Sequence, residues 1–263
     1  MLVWSRWSFL STPLDHPFQL SMLSSPHPLA KLPLLLSAAY FGHLSGTSPQ
    51  PSPSEIETVK FAKVEKKSKR LVFRFGPGIL KFVVISTCLA EAAIILCETY
   101  PSFPGSDSIR ALFHGTSYSS IYISRTFLVG WALLATGTYL RVTCYRYLGH
   151  FFTFELALHA DHRLVTSGPY SIVRHPSYSA VLVVAVGLVM LHLSPGSCWD
   201  AFGVWRSTVG ILCALGWIGV WIVFAAAMVA RTTVEDSVLK EAFGKEWEKW
   251  AKSTPYRLLP GIY

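Results

Sequence analysis

Charge is scarce in this chain. Only 14% of its 263 residues are Asp, Glu, Lys or Arg, where a soluble domain carries about a quarter. Several long stretches hold almost none, a pattern that a water-facing surface does not tolerate. The five cysteines, Cys88, Cys97, Cys144, Cys198 and Cys213, are scattered. No pair has metal-ligand spacing and nothing resembles a secreted disulfide framework, so they read as packing residues. A Gly-rich phosphate loop behind a strand is missing, and so is a nucleophile elbow. Histidine is also sparse. Glu155, His159 and His162 have the spacing of one helical face, but four of the nine histidines (His16, His27, His43 and His114) lie well before this polar region. A membrane di-iron oxidase needs many more clustered histidines, so no metal is expected. The net charge of +8 does not mark a nucleic-acid partner, because the bases cluster beside apolar spans, which is the signature of membrane orientation.

Apolar side chains fill the space that charge leaves. They make up 51% of the chain, and the mean hydropathy is +0.40. An all-α integral membrane protein with about four to five transmembrane helices is expected. Residues 1–59 read as a partly flexible N-terminal segment, rich in Ser, Pro and aromatics near its start and without a recognisable signal peptide. Within it, 29–44 is a weak candidate helix, shorter than the ~20 residues a span needs, and 47–54 is a linker by composition. Residues 60–140 hold a basic run and two stronger spans, 79–97 and 121–140; two more follow at 178–193 and 209–230. Lipid offers backbone groups no partners, so each span must be a helix. Gly130, Gly137, Gly187, Gly210, Gly216 and Gly219 would let such helices approach closely.

Lys and Arg are unevenly shared between the connections. Residues 60–81 hold eight, 98–120 one, 141–179 four, 194–207 one and 231–263 six. That alternation puts 141–179 and 231–263 together on the cytosolic face. Both segments are rich in polar side chains. In the first, Thr166-Ser167-Gly168-Pro169 signals a turn, and His175 precedes Pro176, which suits the first turn of a helix. That helix start, with Arg174, His175, Ser177 and Tyr178 around it, reads either as an anion dock or as a juxtamembrane cap of snorkelling side chains. In the second segment Arg231 and Glu235 share a helical face, as in an ordinary surface ion pair. Val238, Leu239, Ala242, Phe243, Trp247 and Trp250 form an apolar stripe suited to a helix lying on the bilayer or folding back over the bundle. Its tryptophans read as interfacial anchors.

Taken in order, these pieces resemble the isoprenylcysteine carboxyl methyltransferase family. The resemblance covers about 139–263 and rests on His162-Arg-Leu-Val-Thr-Ser-Gly-Pro-Tyr170, Arg174-His-Pro-Ser-Tyr178, Arg231-x-x-x-Glu235-Asp236, Phe243-Gly244 and a terminal Arg257-Leu-Leu-Pro-Gly-Ile-Tyr263. Sterol reductases and phospholipid methyltransferases carry strings like Arg-His-Pro-x-Tyr, so the downstream pieces are what narrow the match. The acidic cluster after Arg231 is thinner than the family's, and the loop at 194–207 is longer. The resemblance implies a catalytic core over 141–263, with a helical hairpin, a C-terminal amphipathic helix and a cytosol-facing pocket for S-adenosylmethionine. Its cofactor contacts carry over to His162, Arg163, Leu164, Val165, Tyr170, His175, Pro176, Ser177 and Glu235, with Tyr178 beside them and Glu155 as a further contact. Arg231 takes the role of the substrate-carboxylate arginine, and Arg231 with Glu235 forms the catalytic pair. The implied partners are prenylated protein C-termini and membrane lipid, and the implied residence is the endoplasmic reticulum. Related readings are a membrane methyltransferase acting on a phospholipid amine or small isoprenoid, and a sterol-type reductase.

Overall fold

The computed structural model describes residues 28–54, 57–58, 67–102, 104–112 and 121–263. The Ser/Pro-rich start of the N-terminal segment, the middle of the basic run and 113–120 lie outside the described residues. Eight α-helices are described: α1 Lys31–Ser45, α2 Lys67–Thr99, α3 Ser106–Leu112, α4 Arg125–Leu148, α5 Pro176–His192, α6 Cys198–Ala201, α7 Thr208–Phe243 and α8 Lys245–Ser253. The described residues contain no strand. The fold is all-α, as the composition requires.

Among the described residues, three stretches are long and apolar enough to cross a membrane: Val72–Thr99, Arg125–Phe151 and Thr208–Phe243. The fourth expected span is shorter. Pro176 opens α5, and the chain turns at Ser194-Pro195-Gly196, so α5 has 17 residues, roughly 25 Å at 1.5 Å per residue. The weak candidate at 29–44 is a helix too, α1, of 15 residues. Both fall short of a ~30 Å hydrocarbon core.

α1 nevertheless reaches both ends of the bundle. At its start the buried ammonium of Lys31 pairs with Glu91 of α2 at 2.5 Å and donates to Gly196 O at 2.8 Å. The second Glu91 oxygen accepts from the Cys198 N–H at 2.9 Å. At its end the Ser45 carbonyl accepts from Arg141 Nε of α4 at 2.8 Å. Between these anchors lies the main apolar core, where Leu35 and Ala38 of α1 meet Val84 and Cys88 of α2, Leu134 of α4 and Leu188 of α5.

α4 and α5 are pressed together through glycine. A Cβ on Gly187 would stand 2.7 Å from Leu134 N and 2.8 Å from Gly130 O, and one on Gly137 would stand 2.9 Å from Ala180 O. No side chain fits there. Gly216 and Gly219, by contrast, have nothing within 4 Å of such a Cβ. Along α7, Val209, Leu212, Leu215, Ile222 and Val223 are exposed, a surface suited to lipid rather than water.

α7 does not stop where its apolar run stops. Its 36 residues carry Arg231, Glu235 and Asp236 on the same helix as the span. The helix ends at Gly244, whose φ of 51° lies in the left-handed region. The expected stripe from Val238 to Trp250 is therefore split between α7 and α8. It does not lie on one amphipathic helix.

Candidate active site

Three parts of the chain meet at one end of the bundle: the loop between α4 and α5, the far end of α7, and the segment after α8. The loop is shaped at Gly168, whose φ is 60° and whose Cβ would collide with the Tyr147 ring. Only glycine satisfies both conditions. The turn that follows buries Tyr170 against Cys144 and Trp250. Trp250 Nε1 donates to Tyr170 O at 3.0 Å, so this tryptophan holds the loop. Buried as it is, it does not serve as an interfacial anchor, which corrects the reading from the stripe alone.

The last residues act as a strap. Arg174 N donates to Tyr256 O at 2.9 Å and His175 N to Arg257 O at 2.8 Å, while Ser179 Oγ donates to Leu258 O at 2.6 Å. The first two bonds hold the residues just ahead of α5 and the third holds its first turn, where backbone N–H groups lack helical partners.

Asp236 is the polar centre of this end. Its Oδ1 lies 3.0 Å from His175 Nε2. Its Oδ2 accepts from Arg174 Nη2 at 3.2 Å and from Arg257 Nε at 3.0 Å. His175 Nδ1 is 3.4 Å from Glu235 Oε2, which also accepts from the Tyr178 hydroxyl at 2.8 Å. The His175 and Tyr178 rings stack at 5.6 Å and 6°. Burial opposes a charge on His175, but hydrogen bonds to Asp236 and Glu235 outweigh it and raise the pKa to about 9. At neutral pH both ring nitrogens then carry protons.

Beside this network opens a cavity of about 90 Å³. Of the residues expected at the site, Glu155, His162, Arg163, Leu164, Val165, Tyr170, His175, Ser177, Tyr178 and Glu235 line it. Pro176 does not; it forms the first turn of α5 behind its neighbours. Nor does Arg231, which is only 4% exposed and holds its guanidinium 4.0 Å from the centre of the Phe73 ring. An ordinary surface ion pair with Glu235 does not describe a side chain so buried. Arg174, read from the sequence beside the helix start, lines the cavity too, as do Leu239 and Trp250, which the sequence did not place there. Sequence reasoning quoted Asp236 and Arg257 in motifs but gave them no role, because their partners are distant in the chain.

Glu155, His159 and His162 share no helical face, since the chain from 152 to 167 is irregular. His159 instead lies 2.6 Å from Glu57. Among the described residues no group of three or more His, Cys, Asp or Glu is arranged to hold a metal ion. His162 packs its ring 4.5 Å from Phe151. Burial, with His159 nearby, pushes its pKa down to about 4. Its Nδ1 is buried without a hydrogen-bond partner, and the residue lines the cavity.

A ligand that suits this lining has a polar edge for His162, an anionic group for the positive helix start at His175, and a cationic part. The two acids, Glu155 and Glu235, and the aromatic faces of Tyr170 and Tyr178 favour that positive charge.

Comparison with known proteins agrees with the resemblance read from the sequence. Residues 129–205 match the profile of the isoprenylcysteine carboxyl methyltransferase family. The chain is 32% identical over 128 residues to protein-S-isoprenylcysteine O-methyltransferase B of Arabidopsis thaliana, covering 48% of this chain and 55% of that one. It is 31% identical over 166 residues to the protein-S-isoprenylcysteine O-methyltransferase of Schizosaccharomyces pombe, covering 62% and 56%. A delta(14)-sterol reductase of Mus musculus is 26% identical over 101 residues, covering 38% of this chain and 20% of that one. The chain thus spans about half the length of the curated methyltransferases it matches. The profile match takes in most of α4, the loop and α5, and ends before α7.

Proposed function

We propose that this chain is a membrane-embedded methyltransferase that uses S-adenosylmethionine to esterify the C-terminal isoprenylcysteine carboxylate of prenylated proteins. The observation that carries the reading is the cavity at the start of α5, where ten of the residues expected to hold the donor come together. The catalytic unit is 141–263, carried on a bundle of four to five crossings in which α1 and α5 are the short ones. Its site faces the cytosol and its membrane is that of the endoplasmic reticulum, as in the family it resembles.

The bound donor would supply an electrophilic methyl carbon on a sulfonium. His162, with Arg163, Leu164 and Val165, would hold its base and ribose end; Tyr170, His175, Ser177 and Tyr178 its amino-acid end; and Glu155 and Glu235 its positive charge. The acceptor is a carboxylate, ionised far below neutral pH with an ordinary pKa of about 3.3–3.7. No general base is required. The task left to the protein is alignment of the acceptor oxygen. Arg231, buried one helical turn before Glu235, offers a planar fork that binds a carboxylate through two parallel bonds. Its burial against the Phe73 ring keeps water away and strengthens that grip. The prenyl chain would lie among the helices or in the bilayer.

The test is calorimetric titration of the purified chain with S-adenosylmethionine and with NADPH, followed by assay of methyl ester formed on N-acetyl-S-farnesyl-L-cysteine. Binding of S-adenosylmethionine and a base-labile ester product are expected. Binding of NADPH alone would move the chain to the reductases, and methylation of a phospholipid amine would move it to the related methyltransferases.

A further inference from the structure

One wall of the donor cavity is the irregular chain from 152 to 167, of which Leu156, Ala157 and 162–165 are part of the lining. Leu156 and Leu158 pack against Val234 and Val238 of α7. Apolar contact of this kind is non-directional, so it holds the wall against the bundle without fixing how its polar side chains turn.

Direction comes from a segment that no motif marks. Glu57 lies between α1 and α2, far from the family profile's match at 129–205. Its carbonyl accepts from the Leu158 N–H at 2.9 Å, and its Oε1 lies 2.6 Å from His159 Nδ1. Its Oε2 accepts from Ser54 N and Ser54 Oγ, both at 2.8 Å. These bonds, that of the Ser54 backbone first, hold the Glu57 carboxyl below the usual carboxylate range. An ionised carboxylate can only accept, so Nδ1 of His159 carries the proton between them. Nε2 of the same ring is buried without a hydrogen-bond partner, which leaves Nδ1 to set the ring's orientation.

His159 passes that orientation on. Its ring stacks on His162 at 6.2 Å and 5°. Both rings pack on Phe151, with centres 5.9 and 4.5 Å away, and His162 and Phe151 line the cavity. We infer that Glu57 is a positioning residue for the donor site: through His159 it clasps the loop that presents His162 to the cavity. This rests on the functional reading above, and it adds to the site a part of the chain outside 141–263. Glu57 does not itself line the cavity, so it acts on the donor only by way of the loop.

The experiment uses the full chain in lipid nanodiscs at pH 7.5. It reads S-adenosylmethionine binding by titration calorimetry, and KM for N-acetyl-S-farnesyl-L-cysteine at saturating donor. Glu57→Ala should weaken donor binding about fivefold to tenfold, the range of one charge-assisted hydrogen bond, and leave the acceptor KM within about twofold. Glu57→Gln keeps an acceptor oxygen for the His159 N–H and should recover most of the loss. Adding His159→Phe to Glu57→Ala should weaken the donor no further, because the two residues act as one unit.

Unchanged donor binding in Glu57→Ala would overturn the inference. Equal weakening of donor and acceptor would do so too, since it would make Glu57 a support of the whole fold. A Glu57→Gln chain as weak as Glu57→Ala would assign the effect to charge instead of position, with the same result. Should Glu57→Ala not fold, His159→Phe alone decides, because it keeps a ring beside His162 and lacks the N–H. A similar loss of donor affinity supports the clasp, and wild-type affinity overturns it. A wild-type chain that binds no S-adenosylmethionine sinks the functional reading and this inference together. One that binds it equally well with and without the Glu57 carboxylate sinks this inference alone.

Discussion

The carboxylate of Asp236 on α7 lies 3.0 Å from Nε2 of His175 at the head of α5. The same carboxylate gathers Arg174 and Arg257, so one acid joins a span, a loop and the strap after α8. A buried acid with three cationic partners holds a great deal of geometry in place, and its removal strands their charges.

Asp236→Asn should therefore destabilise the fold by about 3–5 kcal/mol, the usual cost of breaking a buried ion pair from one side. Thermal unfolding in detergent micelles is the check. A variant as stable as wild type would mean that the network contributes nothing net.

His175 gives the same network a pH dependence. Its folded pKa of about 9 lies above the ordinary ~6.5, so the folded state holds the proton more tightly. Its contribution is complete below about pH 6.5 and is lost as pH rises through 9. Unfolding temperature should fall between pH 7 and 10, and the slope should flatten in His175→Gln. An equal slope in both proteins would assign the pH dependence to other groups.

His162 works in the opposite direction. Burial holds its pKa at about 4, so its neutral form is favoured in the folded chain. Stability from this residue is present above about pH 6.5 and declines as pH falls toward 4. His162→Phe should abolish that acid-side decline. If the ring also receives a donor hydrogen bond, the variant should bind S-adenosylmethionine about fivefold to tenfold more weakly at pH 7.5, read by titration calorimetry.

Arg231 separates substrate binding from ion pairing. A surface pair would cost only about 0.3–0.5 kcal/mol on loss. Gripping the acceptor in a dry pocket, Arg231→Lys should instead lower kcat/KM for a farnesylcysteine substrate at least about tenfold, or ~1.4 kcal/mol, with donor affinity near wild type. Lysine keeps the charge and loses the fork. Normal turnover by Arg231→Ala would remove this residue from the site.

The approach of α4 to α5 has a packing test of its own. Gly187→Ala places a methyl 2.7 Å from the Leu134 backbone nitrogen, closer than any unstrained contact. Overpacking of this kind costs about 1–3 kcal/mol, so the variant should unfold several degrees lower and lose activity in proportion. Gly216→Ala, where a Cβ has nothing within 4 Å, should leave stability unchanged or slightly raised. Equal effects at both positions would count against the close contact.

Much was written in the chain itself. Apolar runs with few charges demanded helices, because lipid leaves backbone groups no other partner. The spacing of Pro176 behind His175 set the head of α5, and the order of the motifs carried the family resemblance. These are local signals, readable a few residues at a time. Other features depended on contacts that no spacing announces. Trp250 read as an anchor from its stripe, yet it packs inward, because the break at Gly244 turns α8 and its indole meets Tyr170 O eighty residues earlier. Asp236 followed Glu235 in a motif without a role, and became the centre of the network only when α7 met His175, Arg174 and Arg257. Arg141 entered the sequence reading only in a count of basic residues over 141–179, and its partners proved to be Ser45 and Ser177. The physical reason is the same in each case. Burial and charge pairing are properties of a neighbourhood, and in this chain the neighbours of the polar residues are supplied by different helices.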